Sequence, residues 1–161
     1  MTVPISSLTA FSLEAEEGRS REPLDIFGQM TLVKLANADT DGAVAVFHLT
    51  APPMSGPPMH RHLREDEWFY VLEGELTFEV DGKRFVQGDG GSVFAPRGSV
   101  HTYQNLTNST AKLLVMTTPG GFSDFFAALS EANKGLAKPD FARSEQILNE
   151  YGMEMLGPPL S

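Results

Sequence analysis

Short segments with a two-residue period fill the middle of the chain and constrain its fold more than any other feature. In residues 75–80, the apolar side chains of Leu76, Phe78 and Val80 alternate with polar ones, which is typical of a half-buried strand. Asp81-Gly82 follows directly and favours a two-residue hairpin turn, because both central positions of that turn need positive φ. The sequence therefore predicts antiparallel strands joined by tight turns.

The same pattern extends over residues 30–118. The segments predicted to be strands are Met30–Leu35, Ala43–Leu49, Glu67–Glu73, Glu75–Val80, Lys83–Val86, Ser92–Ala95, Val100–Leu106 and Lys112–Thr118. A loop is expected at residues 52–58, which contain four prolines, because proline cannot donate to a strand ladder. Many short strands at this spacing are typical of an all-β sandwich or barrel.

The segments that flank the strands have a different character. We expect an N-terminal arm at residues 1–28, a barrel at 29–119, and a C-terminal helical extension at 120–161 that packs on the barrel. The extension is predicted to begin with a helix capped by Ser123, because aromatic and aliphatic residues there follow helical spacing. A second helix is expected to start near residues 139–140 and to stop at Gly152, before an extended tail.

Composition limits the classes of function that fit this chain. Its 161 residues carry 12 Lys and Arg against 21 Asp and Glu, and the net charge of −9 argues against nucleic-acid or anionic-membrane partners. The sequence shows neither a membrane-span pattern nor a secretory-signal pattern. Cysteine is absent, which excludes disulfides and thiol ligands and favours a cytoplasmic location.

Three of the four histidines lie close to the predicted strands in a pattern that suits metal binding. His60 and His62 are two residues apart, so on an extended chain both imidazoles lie on one face, ~6.6 Å apart. Glu67 begins the next strand, and His101 lies at the start of a later one. Three neutral imidazoles and one carboxylate suit a divalent transition metal: iron, manganese, nickel, copper, cobalt or zinc.

Each of these residues has a simpler interpretation when it is considered alone. A His-x-His pair on a polar loop is most often solvated, and Glu67 belongs to an acidic run, residues 65–67, of the kind that usually faces water. His101 could be a hydrogen-bonded histidine within a strand. The fourth histidine, His48, is better interpreted as structural or surface-exposed. The joint spacing of the residues is what favours a metal site.

This spacing resembles the paired signature motifs of the cupin superfamily. The motifs are matched by His60-x-His62-x4-Glu67-x6-Gly74 and by Gly90-x5-Pro96-x-Gly98-x2-His101-x3-Asn105. The family's first motif usually opens with a glycine six positions before the first histidine, where this chain has Met54. The resemblance covers roughly residues 30–118 and implies an all-β double-stranded β-helix, a jelly-roll-like barrel, to which the sequence adds short C-terminal helices.

The resemblance also implies a site and an activity. The four ligand positions are filled by His60, His62, Glu67 and His101. The chain looks like single-domain bacterial cupins related to quercetin dioxygenase, which implies a dioxygenase-like enzyme acting on a small phenolic or enolic substrate. In that analogy Glu67 is both a metal ligand and the catalytic base that takes the substrate proton.

Two other functions remain open from the sequence. The chain could be a non-enzymatic cupin that binds a small molecule or a metal. It could also be an isomerase or cyclase of polyketide-like substrates, with the metal acting as a Lewis acid and without a need for oxygen. Oxygen uptake during turnover separates the dioxygenase from the isomerase, and absence of turnover favours the binding protein.

Strand parity predicts which side chains surround the site. If Glu67 points into the barrel, Phe69 does so as well, and Tyr103 and Asn105 share the face of His101. Phe69 and Tyr103 are therefore candidates for a substrate pocket, with core packing as the alternative. Asn105 is expected to be a structural hydrogen bonder.

Several residues near the candidate ligands in the sequence are predicted to lie at the protein surface and to contact a partner or a substrate there. Trp68, Tyr70 and Leu72 form an outward apolar row, which predicts a homodimer, the more so since cupins commonly pair through this face. Arg61 and Arg97 lie next to the ligands and are either rim charges or attractants for an anionic substrate.

Overall fold

Alternating burial divides the side chains of the β-segments between one core and the outer surface. In the strand Asp66–Glu73, Glu67, Phe69 and Val71 are buried, and the residues between them are at least partly exposed. This is the arrangement that the two-residue period predicts.

The structure is a computed structural model and describes residues 8–161. The strands of that range are β1 (Leu24–Ile26), β2 (Gln29–Leu35), β3 (Ala45–Ala51), β4 (Met59–His62), β5 (Asp66–Glu73), β6 (Leu76–Val80), β7 (Lys83–Gln87), β8 (Ser92–Ala95), β9 (Val100–Gln104), β10 (Ala111–Thr118) and β11 (Met153–Gly157). The helices are α1 (Phe122–Asn133) and α2 (Phe141–Glu150), and Asn37–Thr40 forms a 3-10 turn. No helix in the described range is long and apolar enough to cross a membrane.

The strands form two antiparallel sheets that enclose a common core. The larger sheet has the order β1-β2-β3-β10-β5-β8, and the smaller one has the order β11-β4-β9-β6-β7. Strand β10 lies between β3 and β5, and β9 lies between β4 and β6, so strands distant in sequence pair in both sheets. The predicted all-β, jelly-roll-like fold with short C-terminal helices is confirmed as an open β-sandwich of these two sheets.

Two turns show how backbone conformation sets the ends of strands. The Asp81-Gly82 hairpin between β6 and β7 is present, and both residues have positive φ, 48° and 77°. Met54, in the proline-rich loop before β4, also has positive φ, 58°. A left-handed backbone is easy for glycine and strained for methionine.

The helices pack against the core through the aromatic face that the sequence predicts. Phe122 and Phe126 of α1 lie edge-on to Phe47 of β3, with ring centroids 5.8 and 4.7 Å away. The prediction of Ser123 as N-cap was wrong: α1 begins at Phe122, and the buried Ser123 hydroxyl instead accepts a hydrogen bond from the backbone N–H of Asn37. The Ser123 oxygen, which could have capped the helix, is therefore engaged in a tertiary hydrogen bond instead.

The start and end of α2 agree with the sequence prediction. Its N-cap is Asp140, whose side chain accepts a hydrogen bond from the backbone N–H of Arg143 at 3.0 Å. The helix ends at Glu150, and Gly152 follows with φ of 74°.

The extended tail after α2 is a strand of the smaller sheet. Strand β11 pairs with β4, and Met153 lies opposite His62 while Met155 lies opposite His60. The guanidinium of Arg61 donates hydrogen bonds to the carboxylate of Glu154 across this pair. The C-terminal segment thus supports the strand that carries two candidate metal ligands.

Candidate metal centre

Both sheets contribute side chains to a single cluster of candidate ligands. His60 and His62 come from β4, His101 comes from β9, and Glu67 comes from β5 of the larger sheet. His60 lies directly opposite His101 in the β4–β9 pair. One ligand atom from each of the four side chains lies within 4.8 Å of the others.

The carboxylate of Glu67 is the common neighbour of two imidazoles in this cluster. Its Oε2 atom lies 2.8 Å from Nε2 of His101 and 3.3 Å from Nε2 of His62. Glu67, His62 and His101 are buried, and His60 is partly exposed. Because the groups converge in a place with little water, their interactions are weakly screened.

Backbone carbonyls fix the orientation of two of the imidazoles. Nδ1 of His60 lies 2.7 Å from the carbonyl oxygen of Pro58, and Nδ1 of His101 lies 3.1 Å from that of Ser99. A carbonyl only accepts, so each Nδ1 carries the proton and donates it. The Nε2 lone pair of a neutral His60 is then free to bind a metal, whereas Nε2 of His101 donates to Glu67 in this structure and has to lose that proton before it can bind one.

The pKa values of the cluster follow from burial and from mutual charge. Burial alone would raise the pKa of Glu67, but His62 and the hydrogen bond from His101 outweigh it and hold the pKa at about 2. Burial, together with the neighbouring His101 and His62, lowers the pKa of His60 well below its ordinary value. Burial also opposes protonation of His101, yet its hydrogen bond to Glu67 raises the pKa overall. An anionic Glu67 and a neutral His60 are the forms that bind a metal.

The residues present fit a divalent metal ion. Both ring nitrogens of His62 are buried, and neither has a hydrogen-bond partner among residues 8–161. A buried, unsatisfied imidazole is unfavourable, and a cation at Nε2 would satisfy it. The three nitrogens and one carboxylate suit a divalent transition metal, and they do not distinguish iron, manganese, nickel, copper, cobalt or zinc.

The turn before β9 places His101. The backbone N–H of Gly98 donates to the carbonyl oxygen of His62 at 2.7 Å, and Gly98 has φ of 85°, which favours glycine. The hydroxyl and backbone N–H of Ser99 both donate to the carbonyl oxygen of Pro96. These contacts bring the segment before His101 directly against the strand that holds His62.

A small cavity adjoins the candidate ligands inside the sandwich. It measures about 40 Å³, and its lining includes His60, Glu67, Phe69, Tyr103, Phe122 and Phe126. Such a volume holds only a few water molecules, at ~10–15 Å³ for each. An organic ligand would therefore have to displace side chains that line the cavity. Two of these side chains, Phe122 and Phe126, belong to α1 and not to the barrel strands.

Phe69 and Tyr103 both reach this cavity. Their rings lie 5.6 Å apart, and the Tyr103 hydroxyl donates a 2.7 Å hydrogen bond to the side-chain oxygen of buried Gln29. Burial, reinforced by the charge of Glu67, raises the pKa of Tyr103, so its hydroxyl stays protonated. Sequence reasoning missed Gln29 because it precedes the predicted strand Met30–Leu35 and lies far from both motifs.

The remaining residues that the sequence singled out lie outside the ligand group. His48 is on the outer face of β3, and Phe47 and Leu49 face the core. Asn105 is structural as expected, since its amide nitrogen donates to the carbonyl oxygens of Ala51 and Ser109. Arg61 pairs with a carboxylate of β11, and Arg97 likewise pairs with Asp66, so both guanidinium groups already have anionic partners.

Comparison with known proteins agrees with the fold. Residues 47–117 match the Cupin domain family. The chain is 29% identical to quercetin 2,3-dioxygenase of Bacillus subtilis over 141 residues, which cover 86% of this chain and 41% of that protein. It spans less than half the length of the curated relatives that it matches.

Two solved structures share the architecture. A predicted oxalate decarboxylase of Thermotoga maritima is 26% identical, with a TM-score of 0.53 over 56% of this chain and 80% of that chain. An RmlC-like cupin of Shewanella frigidimarina is 22% identical, with a TM-score of 0.56 over 69% of this chain and 91% of that chain, and it supports the fold alone.

Fold and site together define the class of protein. It is an antiparallel β-sandwich in which three histidines and a glutamate from both sheets converge beside an internal cavity. Residues 47–117, which match the Cupin domain family, carry all four candidate ligands, and the chain has the β-sandwich fold of cupins.

Proposed function

We propose that this protein is a metal-dependent, dioxygenase-like enzyme that acts on a small phenolic or enolic substrate. The observation that carries the proposal is the convergence of His60, His62, Glu67 and His101 beside a cavity with aromatic walls. The similarity to quercetin 2,3-dioxygenase supports the same class of reaction.

The four clustered side chains have assigned roles in this proposal. The three imidazoles and Glu67 hold a divalent metal, which when bound supplies a Lewis acid that lowers the pKa of a substrate hydroxyl. Glu67, whose carboxylate lines the cavity, accepts that proton once the metal has lowered the pKa of the substrate hydroxyl. Phe69 packs against the substrate ring, and the Tyr103 hydroxyl, whose proton is donated to Gln29, offers an acceptor oxygen.

A substrate screen under two atmospheres tests the proposal. The protein is purified without chelator, analysed for bound metal, reloaded with each candidate metal and assayed on phenolic and enolic compounds with and without air. We expect about one metal per chain and substrate-dependent oxygen uptake. His62→Ala should lose metal and activity, and His48→Asn, on the outer face of β3, should keep both.

The other outcomes of the screen identify the alternative functions. Turnover without oxygen uptake would indicate an isomerase or cyclase, and metal binding without any turnover would indicate a binding protein. Absence of a transition metal, with no rise in melting temperature on adding one, would contradict the metal site itself.

The proposal includes a homodimer and a cytoplasmic location. The outer face of β5 supports the dimer, because Trp68 and Tyr70 are only partly buried there and Leu72 is 40% exposed. The absence of cysteine supports a reducing compartment.

A further inference from the structure

Glu65 is a buried carboxylate beside the candidate ligands and has no part in the ligand group itself. It lies in the turn between β4 and β5, and it is 7% exposed, whereas its neighbours Leu63 and Arg64 face solvent. Within the described chain its Oε2 atom has no hydrogen-bond partner. Because a buried carboxylate oxygen without a hydrogen bond is unfavourable, this atom calls for a positive partner or a hydrogen-bond donor.

The imidazole of His62 lies beside this atom. Nδ1 of His62 lies 3.7 Å from Oε2 of Glu65, and Nε2 of the same ring lies 3.3 Å from Oε2 of Glu67. The imidazole therefore stands between two carboxylates, with one nitrogen directed at each. A contraction of the first distance to about 2.9 Å would make a hydrogen bond.

The other two histidines of the cluster differ from His62 in the hydrogen bond made by Nδ1. Nδ1 of His60 and Nδ1 of His101 each lie against a backbone carbonyl oxygen, whereas Nδ1 of His62 has no hydrogen-bond partner in residues 8–161 and lies 3.7 Å from the Glu65 carboxylate. All three imidazoles thus share one pattern, an acceptor behind Nδ1 and the ligand group in front. At His62 the acceptor is charged.

We propose that Glu65 is a positioning residue that accepts a hydrogen bond from Nδ1–H of His62 and so directs the Nε2 lone pair at the metal. The inference rests on the metal site of the proposed function and not on its reaction. A carboxylate behind a ligating imidazole fixes its tautomer and increases its basicity. The two carboxylates of Glu65 and Glu67 also balance the charge of a divalent cation, which stabilises the ion in a buried site.

Zinc affinity of substituted chains tests the role of Glu65. We expect Glu65→Leu to weaken Zn²⁺ binding by about 10–100-fold in a chelator competition, and Glu65→Gln, which keeps an oxygen acceptor, to retain most of the affinity. Glu75→Leu removes the same charge from an exposed turn position and should bind Zn²⁺ like the unaltered chain. The melting temperature of metal-free Glu65→Leu should not fall, because the substitution removes a buried carboxylate oxygen that has no hydrogen-bond partner in the described chain.

A nuclear magnetic resonance measurement keeps the test valid even if Glu65→Leu does not fold. In the Zn²⁺-loaded chain, the Nδ1 proton of His62 should be a slowly exchanging downfield signal that moves upfield in Glu65→Gln. An unmoved signal, equal losses of affinity in the Gln and Leu variants, or unchanged affinity with a lower metal-free melting temperature would each overturn the inference. If the unaltered chain binds no Zn²⁺ or other metal, the proposed function fails instead.

Discussion

Asp66 and Arg97 form a two-point ion pair that connects the segments carrying Glu67 and His101. Arg97 donates from Nε and Nη2 to the two oxygens of Asp66, at 3.1 and 2.9 Å, and its backbone N–H donates to Oδ1 at 2.9 Å. Asp66 directly precedes Glu67, and Arg97 lies in the turn before His101. The pair therefore holds this turn against the start of β5.

The ion pair predicts a defined pH dependence of stability. Hydrogen bonds from Arg97 lower the pKa of Asp66 from 3.8 to about 2. A depressed pKa in the folded chain gives a stabilisation that is complete above the unfolded value and is lost as the pH falls through the folded value. We expect Asp66→Asn to unfold at lower urea concentration than the unaltered chain at pH 7. The difference should shrink below about pH 4, and a constant difference down to about pH 3 would contradict this account.

Met54 offers a test of backbone strain next to the site. It is 63% exposed and has φ of 58°, so a change to glycine removes strain and little packing. Relief of the left-handed strain exceeds the entropic cost of glycine, so Met54→Gly should raise the free energy of unfolding by about 0.5–1 kcal/mol. Met54→Ala keeps the strain and should show no gain. Equal stabilities of the Gly and Ala variants in urea would contradict the interpretation.

Most strands could be predicted from the sequence because their burial is local and periodic. Strand β5 is predicted at Glu67–Glu73 and observed at Asp66–Glu73. The pairing of β11 with β4 could not be predicted, since Glu154 and Arg61 are 93 residues apart and neither has a local signal for the other. The same reason explains Ser123, whose oxygen is engaged by Asn37 from another part of the chain.

The candidate ligands could be predicted from their spacing, but the role proposed for Glu65 could not. An acidic run usually faces water, and that interpretation is wrong for Glu65, which is buried. A signal was nonetheless present in the sequence: on an extended chain Glu65 shares the face of Glu67, two residues later. What the sequence lacks is the fold of the turn, which turns Leu63 outward and brings Glu65 behind His62.

The outer face of the larger sheet predicts the oligomeric state. Trp68 lies between Phe94 of β8 and Met116 of β10 in adjacent strands, and Phe94 is 57% exposed. Such an apolar row is typical of an interface, so sedimentation at tens of micromolar should give about twice the 17.5 kDa of one chain. Trp68→Asp should shift the protein to the monomer, and Phe85→Asp, on the exposed edge strand β7, should not. A monomer for the unaltered chain would contradict the dimer.

Substitution of Glu67 separates its role as a ligand from its role as a base. Glu67→Gln keeps the shape and one oxygen ligand but cannot hold a proton from the substrate at pH 7. If Glu67 is a base, the metal-loaded variant should lose roughly 10²–10⁴ in turnover on whichever substrate the screen finds, with its metal content unchanged. Alanine in place of His60, His62 or His101 should instead remove the metal together with the activity.

The control for this prediction lies on the same strand. Glu73→Gln alters an exposed carboxylate of β5 that pairs with Lys112, and it should leave both turnover and metal content unchanged. Recovery of activity in Glu67→Gln on adding excess metal would show that the carboxylate acts only as a ligand. Turnover close to that of the unaltered chain would remove Glu67 from the mechanism and favour a reaction that depends on the metal as a Lewis acid alone.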